Sequence, residues 1–346
     1  SVTGNIDSAG TVTGAGNIWY DYPFHFSVIN SFTERINFPP QHPYLLGAPL
    51  AYPFMMDFLS AIVVKGGLDL RNAILLPHLL FYFVLSSFAY FIGKQITKSR
   101  AAAAFAVILF LFNGNAGIFD FASDAVESKD AVNFVQHLPK DYSHSPESRI
   151  EFLNTAYSIF VSQRSAIMGF AASLMLYFLL ACYLERRDKR VLLAAGTVLG
   201  LLPLVHTHSF LAASVASAFG GIYALATGKN KGAEFKRLLW FALPAILLAL
   251  PQLLWMAPQL GSGAKLVKMQ SGWLDENDGL GAIELAIFWL ANAWLALPLA
   301  VIGLFLAPKK TRAYYAPFIA VFLLGNRVKL QWWDWDNIKI FVHWFF

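Results

Sequence analysis

Long apolar runs constrain this chain more than any other feature. Residues 73–93, 101–118, 165–184, 191–206, 209–226, 238–256, 281–306 and 313–325 are strongly hydrophobic, and a ninth run starts near 338. Several approach the roughly 17–25 residues needed to cross a bilayer. Within lipid, a lone segment satisfies its own backbone only as a helix. The expected fold class is an all-α polytopic membrane protein with about eight or nine transmembrane helices. Composition agrees, since 57% of residues are hydrophobic, 16% aromatic and only 14% charged, unlike an ordinary soluble domain.

A net charge of +5 does not point to nucleic acid, because 14 of the 26 Lys and Arg fall in four short loops. These are Lys94–Arg100, Arg186–Arg190, Lys229–Arg237 and Lys309–Arg312. They form a positive-inside pattern rather than a basic groove, so the expected partner is the lipid bilayer and not nucleic acid. If 73–93 runs inward, all four basic loops lie inside and residues 1–72, 119–164, 257–280 and 326–337 lie outside. Of the 21 acidic residues, 18 then sit on or near the outer face.

Residues 1–72 therefore read as a long first extracytoplasmic loop and 73–346 as the transmembrane domain. Residues 1–18 are polar and rich in Gly, Ser, Thr and Asn, a loop composition. Tyr52–Val64 is apolar but short, and reads as an interfacial helix. Its Asp57 either faces water at the interface or belongs to a site. Were this segment a true span, the parity would flip and the basic loops would lie outside. Ser1 is not a start methionine and Phe346 falls within an apolar run, so a fragment cut at both ends is expected. The single cysteine, Cys182, rules out an internal disulfide.

The candidate chemistry starts at Trp19-Tyr20-Asp21-Tyr22-Pro23-Phe24-His25-Phe26. Pro23 suits a first helical turn, and a helix over 19–34 would carry Phe24, Val28 and Phe32 along one stripe. Asp21 and His25, at i and i+4, would lie close together near its start, where a carboxylate also suits the helix dipole. The parity brings further polar groups to the same face: Asp120 and Asp124 after the second span, Arg164 before the third, and His206 and His208 in a tight turn. Trp332-Trp333-Asp334-Trp335-Asp336-Asn337, with Lys339 just beyond, completes the set.

Each has a plainer explanation. The tryptophans serve as belt anchors, the acids as helix caps, Arg164 as a snorkelling cation, and the histidines as structural residues. Convergence on one membrane face favours function, since ionisable groups in membrane helices are functional candidates. Such groups suit transfer from an anionic lipid donor. A carboxylate takes the proton of an acceptor hydroxyl, or holds a divalent metal through oxygen ligands. Arg164 and Lys339 would neutralise a phosphate leaving group.

Asp21-Tyr22-Pro23-Phe24-His25 resembles the acidic first-loop motif of the C-type (GT-C) membrane glycosyltransferases, with tyrosine in the second acidic position. The proline-rich His42-Pro43-Tyr44 leading to Tyr52-Pro53-Phe54-Met55-Met56-Asp57 is similar to the family's approach to an interfacial helix, and Arg71-Asn72 to the start of its next span. The likeness is detailed over residues 19–125 and topological beyond. It implies a GT-C-like bundle and a hexosyltransferase using a polyprenyl-phosphate-linked sugar, as mannosyltransferase-like members do. The acceptor would be a protein, lipid or glycan. The work would be done on the extracytoplasmic face of a bacterial or archaeal plasma membrane, or on the lumenal face of the endoplasmic reticulum. It also implies Asp21 as base or metal-associated carboxylate with His25 orienting it, and Asp120 or Asp124 as a second acid. If a divalent cation such as Mg or Mn is used, Asp21 and Asp120 would be its ligands. His206, His208, Asp334, Asp336 and Asn337 stand behind these. A transporter of a lipid-linked or small polar solute, served by Pro203, Pro244 and Pro251, and a non-catalytic scaffold are the alternatives.

Overall fold

Caps written into the sequence set where several of the helices begin. A computed structural model describes residues 5–6, 12–13, 21–152, 154–161, 163–259, 268–270, 272–274, 280–330 and 334–346, and it is 74% helical. In chain order the helices are α1 (Asp21–Thr33), α2 (Met55–Lys65), α3 (Leu70–Thr97), α4 (Arg100–Leu111), α5 (Gly117–Glu127), α6 (Ala131–Gln136) and α7 (Arg164–Arg186). There follow α8 (Lys189–Leu201), α9 (Thr207–Thr227), α10 (Lys231–Met256), α11 (Ala282–Ala293), α12 (Ala296–Leu306), α13 (Lys309–Gly325) and α14 (Ile338–Phe345). Side chains of Asp69, Ser99, Asp188 and Asn230 each accept a backbone N–H of the first turn of α3, α4, α8 and α10, meeting donors a helix start leaves unpaired. Lys98 and Arg187 close α3 and α7 in the left-handed region, at φ 58° and 55°.

Among the described residues four helices are long and apolar enough to cross a membrane: α3, α7, α9 and α10. Together with the helical content they make this an all-α membrane protein. Helices α11 and α12 qualify only as a pair, and the pair is bent by 104°. The bend falls at Trp294, where φ is 33°, inside what the sequence suggests is one continuous span. Helices α4 and α8, with 12 and 13 residues, are shorter than the spans expected over the same stretches, whereas α13, with 17, covers all of the expected 313–325.

The chain divides into two units. The first comprises Ser1–Lys98 and Phe160–Ala264, the second Ser99–Ile159 and Lys265–Phe346. In the first, α1 packs on α2, α2 on α3, and α7 on α3, α8 and α9. Tyr22, Ile29, Ala61 and Ile74 form one core cluster of α1, α2 and α3. Val28, Leu50 and Phe54 form another, with Phe24 and Phe32 against it. Helix α8 lies along α10 because glycine allows it: a Cβ on Gly196 would stand 2.1 Å from the Phe241 carbonyl oxygen, and one on Gly200 2.7 Å from the Leu248 Cβ. Small residues at such spacing let membrane helices approach closely.

In the second unit asparagines hold the irregular segments. Asn292, fully buried, accepts the Glu151 and Phe152 amides through Oδ1 at 2.6 and 2.7 Å. Its Nδ2 donates to the Arg149 and Phe288 carbonyls at 2.8 and 2.9 Å. Around it, Phe152, Trp273, Trp289 and Phe341 pack ring against ring.

Candidate functional site

Helix α1 begins at Asp21, with Pro23 in its first turn as the sequence suggests. Asp21 is exposed, and one turn on His25 is buried. His25 Nδ1 lies 2.7 Å from Asp57 Oδ2, the spacing of an imidazole–carboxylate hydrogen bond. The sequence pairs His25 with Asp21, but its Nδ1 goes to Asp57 on α2.

Asp57 is 1% exposed, although it lies on the helix expected at the interface. Its other oxygen, Oδ1, accepts from Arg164 Nε at 2.9 Å, and Arg164 Nη2 donates to Ser60 Oγ at 2.7 Å. Asp57 and Ser60, three residues apart, share the buried face of α2, while Arg164 opens α7. Burying one carboxylate or guanidinium alone is prohibitive, whereas the pair with added hydrogen bonds is tolerated. Arg164 Nη1 is also buried and has no partner among the described residues. Burial pushes the Tyr22 phenol up, against the opposing pull of the Arg164 guanidinium, so a neutral hydroxyl adjoins the network.

Aromatic rings ring the start of α1. Phe24 contacts His42, Tyr44 and Tyr52 at centroid distances of 5.5, 6.1 and 5.2 Å, and Tyr52 also lies 5.9 Å from His25. Tyr44 Oη donates to the Pro23 carbonyl at 2.8 Å, fastening the proline-rich loop to the first turn. Trp19 and Tyr20 lie outside the described residues.

His206 and His208 belong to the same unit and are buried at the start of α9, not exposed in a turn. His206 Nδ1 is 2.7 Å from Ser209 Oγ, and its ring lies 5.4 Å from those of Phe170 and His208. Gly169 on α7 makes room, since a Cβ there would come within 2.3 Å of the His206 Cβ.

The remaining candidates belong to the second unit. Asp120 is exposed on α5. Asp124 accepts from Tyr142 Oη at 2.7 Å and lies 3.2 Å from Lys140 Nζ. These contacts hold its carboxyl below the usual range, with the tyrosine bond the larger cause. The phenol of Tyr142 is pushed up to about 12 by desolvation and by that bond. Lys339 Nζ is 2.7 Å from Asp336, and Lys329 pairs with Asp334. Asn337 is fully buried, accepting from the Leu330 amide at 3.0 Å and donating to the Gly325 and Val328 carbonyls at 3.2 and 2.8 Å. Its amide is therefore occupied with backbone. Trp332 and Trp333 lie outside the described residues.

Among the described residues no three His, Cys, Asp or Glu side chains gather as a metal site. Asp21 and Asp120 fall in different units, and the acid nearest His25, Asp57, is committed to two hydrogen-bonding partners. Set against known families, curated proteins and solved structures, the chain matches none. The geometry is thus the main guide. It offers an exposed carboxylate on a helix held one turn further along by a buried His–Asp–Arg–Ser chain.

Proposed function

We propose that this protein is a polytopic membrane glycosyltransferase of eight or nine spans. It transfers a sugar from a polyprenyl-phosphate carrier to an acceptor hydroxyl on the extracytoplasmic face. Asp21 takes the hydroxyl proton, the acceptor oxygen bonds to the sugar's anomeric carbon, and that carbon's bond to the carrier phosphate breaks, leaving the phosphate on the lipid. The supporting observation is the mounting of Asp21. It stands exposed at the first turn of α1, and His25 one turn later is fixed by Asp57, itself fixed by Arg164. These partners fix the helix turn that follows Asp21, and a fixed support helps keep a reacting group in geometry. The spare Nη1 donor of Arg164 suits an anionic oxygen.

The test incubates the full-length membrane protein with a panel of lipid-phosphate sugars and measures released carrier. Asp21→Asn, inserted at normal levels, is expected to lose about 10²–10⁴-fold in rate, the usual worth of a positioned base. Near-normal transfer by that variant would defeat the assignment. Transport of a polar or lipid-linked solute is the second reading. The buried Asp57–Arg164 pair favours it, because Arg164 opens the candidate span α7 and paired ionisable groups at such helices often mark substrate pathways. Uptake into vesicles without any lipid-linked sugar would select it.

A further inference from the structure

Helices α7, α8, α9 and α10 of the first unit surround a cavity of about 300 Å³ that the proposed reaction does not use. Leu180, Leu192, Leu199, Leu238 and Phe241 make its wall almost wholly apolar. Its volume is at the small end of the range for ligand pockets. Three of its four helices are long and apolar enough to cross a membrane, so the occupant it suits is a hydrocarbon chain.

Tyr183 connects this cavity to a charged cluster. Its side chain is part of the lining, and its hydroxyl donates to the Glu234 carboxylate. Glu234 also accepts from Arg187 Nη1 at 2.7 Å and from Arg237 Nη1 at 3.1 Å. Two guanidiniums on one carboxylate leave a surplus positive charge, and the Arg237 side chain is 45% exposed. Arg186, Arg190, Lys229, Lys231 and Lys236 are exposed in the same two loops. Nearby, Lys189 Nζ stands 4.8 Å above the Trp240 ring, a pairing suited to the level of lipid headgroups.

An apolar slot ending at a net-positive, partly solvated cluster has the polarity of one molecule. We infer that an anionic glycerophospholipid binds here, with an acyl chain between α7, α8, α9 and α10 and its phosphate at Arg237 and the neighbouring cations. This inference is independent of the glycosyltransferase reading and requires only that the protein sit in a bilayer.

The test is native mass spectrometry of the purified full chain in detergent, offered phosphatidylglycerol and phosphatidylcholine of matched chains in competition. At least a tenfold preference for phosphatidylglycerol is expected. Equal retention of the two would overturn the inference. So would a preference for a polyprenyl phosphate added as a third competitor, since that would assign the slot to a different lipid. Gly221→Leu fills the slot from α9, where a Cβ meets only Leu238, at 3.9 Å. It should lose the retained lipid while keeping its circular dichroism, and retention unchanged by the plug would refute the site. Arg237→Gln should reduce the headgroup preference toward parity, and an undiminished preference would count against the phosphate contact. If either variant fails to fold, the wild-type competition alone decides.

Discussion

At the residue scale Asp57 is the centre of the first unit. It is the only group tied by side-chain bonds to His25 on α1 and to Arg164 on α7 among the described residues. Removing one partner of a buried ion pair leaves the other uncompensated and typically costs about 3–5 kcal/mol. Asp57→Leu should therefore destabilise the detergent-solubilised protein by about that much in chemical denaturation. The double variant Asp57→Leu, Arg164→Met should recover part of the loss; a double variant no better than the single would deny that charge burial is the cause. This residue was only half legible in the sequence. An acid on an apolar helix is conspicuous, but its partners lie 32 and 107 positions away, and no spacing rule reaches that far. The Asp21–His25 spacing was visible and placed both residues on α1, but nothing in it announced that the His25 Nδ1 meets Asp57. A second residue-scale expectation concerns Asp124 and Tyr142. The lowered Asp124 carboxyl contributes stability that is present above the usual carboxylate value and lost as pH falls through its depressed one. The raised Tyr142 phenol contributes stability present below about 10 and lost as pH climbs towards about 12. Absorbance titration should accordingly show a phenolate component near 12 that shrinks by one tyrosine in Tyr142→Phe, and a wild-type curve identical to that of the variant would contradict the contact.

At the element scale, helix positions were legible because apolar runs mark them, whereas some helix ends were not. Helix α4 stops at Leu111, short of the expected 118, because Asn154 donates Nδ2 to the Leu111 and Asn113 carbonyls at 3.2 and 2.9 Å. A side chain 43 positions away thus serves a carbonyl the helix end leaves free. The break between α11 and α12 was hidden for a similar reason. Asn292, just before it, is drawn into bonds with residues 149, 151 and 152, while apolar periodicity continues through the bend. The α8–α10 pairing is the strongest element-level feature that sequence could carry, since Gly196 and Gly200 are four apart. Gly196→Leu would drive a side chain into the Phe241 carbonyl, 2.1 Å from its Cβ, and no rotamer avoids backbone. The helices must separate, so the variant should unfold at least several degrees below wild type in a detergent melt. Gly220→Leu, where a Cβ meets nothing within 4 Å, is the matched control and should melt near wild type.

For the whole molecule, charge distribution and helix length give opposing indications at α4. Twelve residues rise only about 18 Å at 1.5 Å each, against a hydrocarbon core of about 30 Å. Length alone would leave α4 dipping into one leaflet and returning. Charge points the other way: if α4 does not cross, Arg186–Arg190, Lys229–Arg237 and Lys309–Arg312 all end on the side opposite Lys94–Arg100. Mismatch costs fractions of a kcal/mol per Å and can be relieved by bilayer thinning or by the irregular residues 112–116 that follow α4. Translocating three basic loops opposes the bias that sets orientation in membrane proteins. The expectation is that α4 crosses. In a Cys182→Ser background, cysteines placed singly at Lys98, Asp130, Lys229 and Lys310 can be probed in intact cells with a membrane-impermeant maleimide. Asp130→Cys should react without permeabilisation, and the three lysine positions only after it. Labelling of Asp130→Cys and Lys98→Cys from the same side would return α4 to its own leaflet, invert every later loop, and separate Asp120 and Asp124 from the face on which Asp21 is proposed to work.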